Sequence, residues 1–282
     1  MKRWVKKSLD APVVAPFSRI VVMLSGREHV ASLLDCVAGW AQRHAHIHIV
    51  GLAVAPCSGD AGFQAAHAFT RRLVLAATVD AARETLVRRG FEADTEILDT
   101  DAGEGQARRL TRAVCASQAE LTIGAPSSPV ALAGSTQRPV LVLPTPFARR
   151  CRVPPRRIFV ASDGNAASAL AIREAARIAA PDTALRVGYL ACDPAAERHP
   201  EDFDAVVLEA QHDGDAASHA IVEAALQWRA DLLVLATRGG HEGGRWRYGS
   251  VAADVAQPTV LPLLLVPQIS RHPVFAAAGS RH

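Results

Sequence analysis

The feature that most constrains this chain is that it repeats itself. The run RIVVMLSG at 19–26 is matched by RIFVASDG at 157–164, AELTIGAP at 119–126 by ADLLVLAT at 230–237, and PVLVLP at 139–144 by PLLLVP at 262–267. Three matches in the same order mean two copies of one folding unit. The offset between them falls from 138 (157 minus 19) to 111 (230 minus 119), then rises to 123 (262 minus 139). The second copy has therefore lost 27 residues before the middle match and gained 12 after it.

Each matched run is short, continuous in Val, Ile and Leu, and bounded by turn residues, the pattern of a strand buried on both faces. Further strands are predicted at 46–53, 92–98, 185–191 and 205–209. Apolar positions at helical spacing predict helices over 35–43, 63–89, 103–117, 167–179 and 216–229, the last with Asp215 as its N-cap. Strands that alternate with helices at short spacing form parallel sheets with right-handed crossovers. The expected fold class is therefore α/β, with two doubly wound parallel five-stranded sheets in flavodoxin-like layering and a pseudo-twofold relating the tandem copies. The expected domains are 17–147 and 155–268, joined by the Pro- and Arg-rich stretch PTPFARRCRVPPRR, which reads as a semi-rigid exposed linker. The lost residues correspond to the helix over 63–89, because only ACDPAAERHPEDF separates the second and third strands of the second copy. A loop or a one-turn helix is expected there.

Composition narrows the partners. Of 282 residues 49% are hydrophobic and 21% charged, as in a folded rather than a disordered chain. Lys and Arg number 31 against 28 Asp and Glu, so charge alone gives no reason to expect a nucleic-acid or membrane partner. Aromatics, at 5%, are too few for a base-stacking platform. No apolar run reaches the length of a signal core or a membrane span. The cysteines, Cys36, Cys57, Cys115, Cys151 and Cys192, are odd in number and scattered without a CxxC pair, which reads as reduced thiols and a cytoplasmic location.

The residues gained by the second copy lie in ATRGGHEGGRWRYGSVAADVA, 236–256, after a buried strand and before a helix. Glycines let backbone N–H groups approach an anion without interference from Cβ, and the helix starting near Ser250 turns its positive end to the same place. Arg245 and Arg247 add charge, and Ser250 can cap the helix or donate to a phosphate oxygen. Asp163 ends the first strand of the same copy. Ligands of open α/β sheets lie in the crevice where strand order reverses, so Asp163 and the Gly-rich segment are expected to converge on one nucleotide, the carboxylate meeting a ribose hydroxyl or adenine.

With these residues the sequence resembles the universal stress protein family in its tandem form, from about Phe17 to Pro267. ATP-binding members of that family carry the pattern G-x2-G-x9-G-[ST] after the fourth strand. Here it reads Ala236-Thr237-Arg238-Gly239, nine residues from Gly240 to Tyr248, then Gly249-Ser250, with Ala236 in place of the first Gly. The resemblance implies an adenine nucleotide alpha hydrolase-like fold and ATP as ligand, with or without Mg²⁺ carried by its phosphates. It also implies Asp163 at adenine or ribose, Leu190 or Ala191 at the adenine pocket, Ala236 close to the nucleotide, and Gly239, Gly249, Ser250 and Val251 around the phosphates.

The first copy departs from that pattern. Ser25-Gly26 stands where the second has Asp163-Gly164, the Gly-rich segment is missing, and Pro126 and Pro129, which offer no backbone N–H, take its place. The first copy is expected to serve pairing, its last strand, 140–143, meeting 263–266 of the second within the chain; a homodimer is the alternative. His44, His46 and His48 alternate on a strand, so their rings are expected on one face, as a solvated strand entrance or, alternatively, a metal site. No nucleophile elbow or general-base arrangement is evident, so no reaction is named. The expected role is a stress-response protein with an adenine nucleotide as regulatory ligand in its second copy. The alternatives are a nucleotide-free interaction protein and a slow ATPase or self-phosphorylating protein acting through Ser250.

Overall fold

Strands continuous in branched apolar residues need a helical layer on each side of the sheet, and the chain supplies both layers twice. The computed structural model describes residues 16–26, 29–54, 61–100, 104–144, 151–190, 204–208, 214–237, 250–257 and 259–268. The first copy runs β1 (Phe17–Leu24), α1 (Val30–Trp40), β2 (Ala41–Val54), α2 (Ala61–Arg88), β3 (Glu92–Thr100), α3 (Glu104–Ala116), β4 (Leu121–Gly124), α4 (Pro129–Thr136) and β5 (Val140–Val142). The second runs β6 (Arg157–Ser162), α5 (Ala166–Ile178), β7 (Ala184–Leu190), β8 (Asp204–Leu208), α6 (Gly214–Gln227), β9 (Leu232–Ala236), α7 (Ser250–Ala256) and β10 (Leu263–Val266).

Strand order is β3-β2-β1-β4-β5-β10-β9-β6-β7-β8. Within each copy every strand pair is parallel and the order is that of a doubly wound sheet. The copies join through one antiparallel pair, β5 with β10, in which Leu141 lies opposite Leu264 and is flanked by Val142–Leu263 and Val140–Leu265. The two expected sheets are thus halves of one ten-stranded sheet. Pairing within the chain removes the exposed edge that each half would otherwise present.

Successive strand residues point to opposite faces, and each face carries its own core. Ile20, Val22 and Leu24 of β1, Ile158 and Val160 of β6, and Leu264 of β10 pack with α1, α2 and α5. Val21 and Met23, Phe159 and Ala161, and Leu263 and Leu265 pack with α3, α4, α6 and α7. Both cores run through the seam from one copy into the other.

Several boundaries differ from expectation. α1 begins at Val30, one turn earlier than predicted, because His29 accepts the Ser32 N–H at 3.4 Å as an N-cap. Ala41–Arg43 belong to β2, not to the helix. α6 begins at Gly214, which puts Asp215 in its first turn rather than at the cap. The stretch 129–136, not among the predicted helices, is α4, with Pro129 in the first turn where its missing N–H has no partner to lose. β7 and β8 are parallel although only the 13 residues 191–203 connect them, and the predicted loop or short helix lies outside the described residues.

The shorter connection after β7 is matched by a difference in the sheet. In the first copy a Cβ on Gly51 would come 3.0 Å from Val79 Cγ2 of α2 and 3.4 Å from Ile97 Cγ1, so α2 rests directly on the strand. Gly51 pairs with Leu24 and Ile97; Tyr189, paired with Ser162 and Val207, has the same place in the second copy. A ring stands where the first copy needs a bare backbone. Val207, the counterpart of Ile97, is 63% exposed.

Candidate functional site

β6 and β9 are hydrogen-bonded neighbours, but their register runs only from Ile158–Leu232 to Val160–Val234, while the strands continue to Ser162 and Ala236. Beyond Val160 they part. β6 leads through α5 on one face to β7, and β9 leads to α7 on the other face and on to β10. This is a point where strand order reverses, and it opens a crevice at the carboxyl ends.

One lip of the crevice is built by the turn after β6. Gly164 has φ +79, a conformation that side chains rarely adopt, and its N–H donates to Ser162 Oγ at 3.1 Å. Asn165 caps α5, its Oδ1 accepting the N–H groups of Ala167 at 2.8 Å and Ser168 at 3.0 Å. The Asp163 carboxylate is held from two sides: Asn165 Nδ2 donates to Oδ2 at 2.6 Å, and the Asn165 N–H at 3.2 Å and the Ser168 hydroxyl donate to Oδ1. Asp163 is half-buried and fixed in orientation. Asn165 and Ser168 were not singled out by sequence reasoning, yet an Asn directly before an Ala-rich helix with Ser three residues on is a capping signal.

The other predicted residues divide by face. Leu190, the last residue of β7, and Val251, in the first turn of α7, are half-buried and pack against the same core, on the α6 and α7 side. Ala236 ends β9 with its methyl group packed on the opposite core, under α5. Ser250 is the first residue of α7. Ala191, Gly239 and Gly249 lie outside the described residues, as do Arg245 and Arg247.

At the equivalent place in the first copy β1 and β4 likewise pair only as far as Val22–Ile123, but the residues there pack closely. Gly124 ends β4 at φ +154, and a Cβ there would lie 2.8 Å from Met23 Cβ and 3.1 Å from the Met23 carbonyl of β1. Pro126 follows, and Ser128 before α4 makes no side-chain capping bond. Two grooves formed by described residues lie elsewhere in this copy, one of about 530 Å³ between α1 and α2 and one of about 430 Å³ beside Arg43 and Phe91.

The histidines are only partly as expected. His44 has φ 59 and sits at the register break between Phe17 and Arg19, so its ring leaves the alternation. His48 is bracketed by β3, Nδ1 at 2.8 Å from Asp94 Oδ1 and Nε2 at 3.3 Å from Glu96 Oε2. Among the described residues no group of three or more His, Cys, Asp or Glu is arranged to hold a metal ion. No described helix is long and apolar enough to cross a membrane.

Residues 195–267, which run through β8, α6, β9, α7 and β10, match the family model for universal stress proteins. That stretch is similar to the universal stress protein family. The likeness of fold extends over both copies. A protein of Pseudomonas aeruginosa UCBPP-PA14 assigned to the universal stress proteins is similar with a TM-score of 0.58 at 20% identity, over 89% of this chain and 93% of its own. A universal stress protein of Archaeoglobus fulgidus DSM 4304 is similar with a TM-score of 0.56 at 12% identity, over 89% and 96%. A functionally unknown protein of Pseudomonas aeruginosa PAO1 gives 0.58 at 18%, over 89% and 92%. No curated protein matches. At these identities the solved structures show the fold alone and leave the ligand to the site.

Proposed function

We propose that the chain is a stress-response protein whose second copy binds ATP or a related adenine nucleotide as a regulatory ligand, with the first copy serving pairing. The observation that carries this is the parting of β6 and β9, with the oriented Asp163 carboxylate at one lip and the Gly-rich segment leaving from the other. The described residues fit such a ligand. The Asp163 carboxylate, oriented by Asn165 and Ser168, is an acceptor of the kind a ribose hydroxyl requires, and Leu190 and Val251 offer apolar surface on one side of the crevice. The methyl of Ala236 is absorbed by the core under α5, so the departure from the family pattern is accommodated on the face away from those two residues. Gly239 and Gly249 would bring backbone N–H groups to the phosphates, and Mg²⁺ would be carried by phosphate oxygens with few protein ligands.

ATP titrated into the wild type and into Asp163→Ala and Gly249→Trp tests the proposal. Micromolar binding that weakens about tenfold or more in Asp163→Ala, about 1.4 kcal/mol, and is abolished in Gly249→Trp supports it. Equal binding in all three would refute it.

A second reading, a nucleotide-free interaction protein, is favoured by the seam itself, in which both copies have spent their outer strands on each other. Protein purified without added nucleotide separates the two: bound adenine nucleotide supports the first, and its absence together with no heat on ATP addition supports the second. The third reading, slow hydrolysis or self-phosphorylation, requires phosphate incorporation that Ser250→Ala removes.

A further inference from the structure

The segment leading into the second copy is docked on the first. Gly39 of α1 lies against Val153, where a Cβ would come 2.5 Å from Val153 Cβ. One turn earlier on the same helical face, the thiol of Cys36 is turned to Cys151, within interaction distance. Cys36 is fully buried in the core under α1, and Cys151 is half-buried and packed against that core. A third group completes the cluster. The indole N–H of Trp40 is buried, the residue 3% exposed, and has no hydrogen-bond partner among the described residues. It sits beside the Cys36 sulfur. A neutral thiol accepts a hydrogen bond weakly, whereas a thiolate at Cys36 would satisfy this orphan donor.

We propose that Cys36 and Cys151 form a redox-active dithiol that closes to a disulfide, a covalent clasp between α1 of the first copy and the segment that enters the second, with a low-molecular-weight disulfide as the oxidant. Burial, then the neighbouring Cys151, pushes the Cys36 thiol up, and the Trp40 N–H acts in the opposite direction. The more exposed Cys151 therefore reacts first. Its thiolate attacks one sulfur of the small disulfide, forming a mixed disulfide and releasing one thiol. Cys36 then gives up its proton, its thiolate steadied by Trp40, and attacks the Cys151 sulfur. The new S–S bond forms as the bond to the second small thiol breaks, and that thiol leaves with the proton. Two protein thiols are oxidised and one small disulfide is reduced to two thiols. Cys115 takes no part, being exposed on α3 across the sheet.

The test is made on the full chain. Reduced protein is equilibrated with oxidised glutathione, free thiols are alkylated after denaturation, and the digest is read by mass spectrometry. The expected result is a peptide linking Cys36 to Cys151 that disappears on treatment with dithiothreitol. Cys36→Ala stops at a glutathione adduct on Cys151, and Cys151→Ser leaves Cys36 fully alkylatable. Because Cys36 is buried and its variant can fail to fold, the exposed-side variant Cys151→Ser carries the decisive comparison. Oxidation raises the thermal midpoint of the wild type, since the clasp closes a long loop of the unfolded chain, and leaves that of Cys151→Ser unchanged. Quantitative alkylation of Cys36 in oxidised wild type, or Cys36 joined to any cysteine other than Cys151, overturns the proposal.

Discussion

Glu120 and Asp231 hold the same place in the two copies, directly before β4 and β9, and do the same work. Glu120 Oε2 accepts the Ser18 N–H at 2.6 Å, the Ser18 hydroxyl at 3.0 Å and the Arg19 N–H at 3.3 Å. Asp231 Oδ2 accepts the N–H groups of Arg156 at 2.9 Å and Arg157 at 3.0 Å. Each carboxylate ties the entrance of the first strand of its copy to the fourth. Burial works to raise the Glu120 pKa, but the donors of Ser18 and Arg19 and the charge of Arg177 outweigh it and hold the carboxyl below its ordinary value. A carboxyl with a depressed folded-state pKa stabilises fully above its unfolded pKa, about 4.3 for Glu, and loses that contribution as pH falls through the folded value. Glu120→Gln is therefore expected to lower stability by about 1 kcal/mol near neutral pH, the low end for bonds to a charged group because the site is partly solvated. The gap to wild type should close on acidification. Urea unfolding across a descending pH series measures it, and a gap independent of pH would refute the assignment. At the candidate site, Asn165→Ala removes the α5 cap and a donor to Asp163 together. A loss of about 1 kcal/mol in stability with a severalfold rise in the ATP dissociation constant is expected from chemical unfolding and calorimetry.

At the scale of elements, the shortened connection between β7 and β8 goes with a change in the strand before it. α2 packs Leu75, Val79, Ala82 and Leu86 onto β2 and β3, and this needs Gly51. Gly51→Val should force that helix outward and cost about 1–3 kcal/mol, the usual range for overpacking, as a lower midpoint in thermal unfolding. A change within error would mean that α2 does not rest on the strand there. The deletion was legible in the sequence as a change of offset between repeats, and so was the parallel pairing of the strands on either side of it. The substitution of Tyr189 for Gly51 was not, because nothing local marks a glycine as the contact for a helical side chain, Val79, 28 residues away (79 minus 51). α4 was not predicted: prolines flank and open it, yet Pro129 occupies the first helical turn, where proline is well tolerated.

For the whole molecule the decisive element is the seam. Leu141 and Leu264 face each other across β5 and β10 and are buried in one core that continues through both copies. Leu264→Ala should lower the stability of the whole chain by about 2–5 kcal/mol, with both copies affected in one transition. Tryptophan fluorescence during urea unfolding would show this, since Trp40 lies in the first copy and Trp228 in the second. A loss confined to the second copy's signal would mean that the halves fold independently. By itself the sequence determined the repeat, the doubly wound halves, the end strands available for pairing and the positions of Asp163 and the Gly-rich segment. Those follow from the order of residues along the chain, through hydrophobic period and turn chemistry. Only the tertiary structure decided that the copies share one sheet, that Met23 packs against Gly124, that the Ala236 methyl falls on the α5 side, and that Cys36 meets Cys151 115 residues away (151 minus 36). Each of these depends on which face a side chain takes and what packs against it from a distant part of the chain, and local pattern carries no record of that.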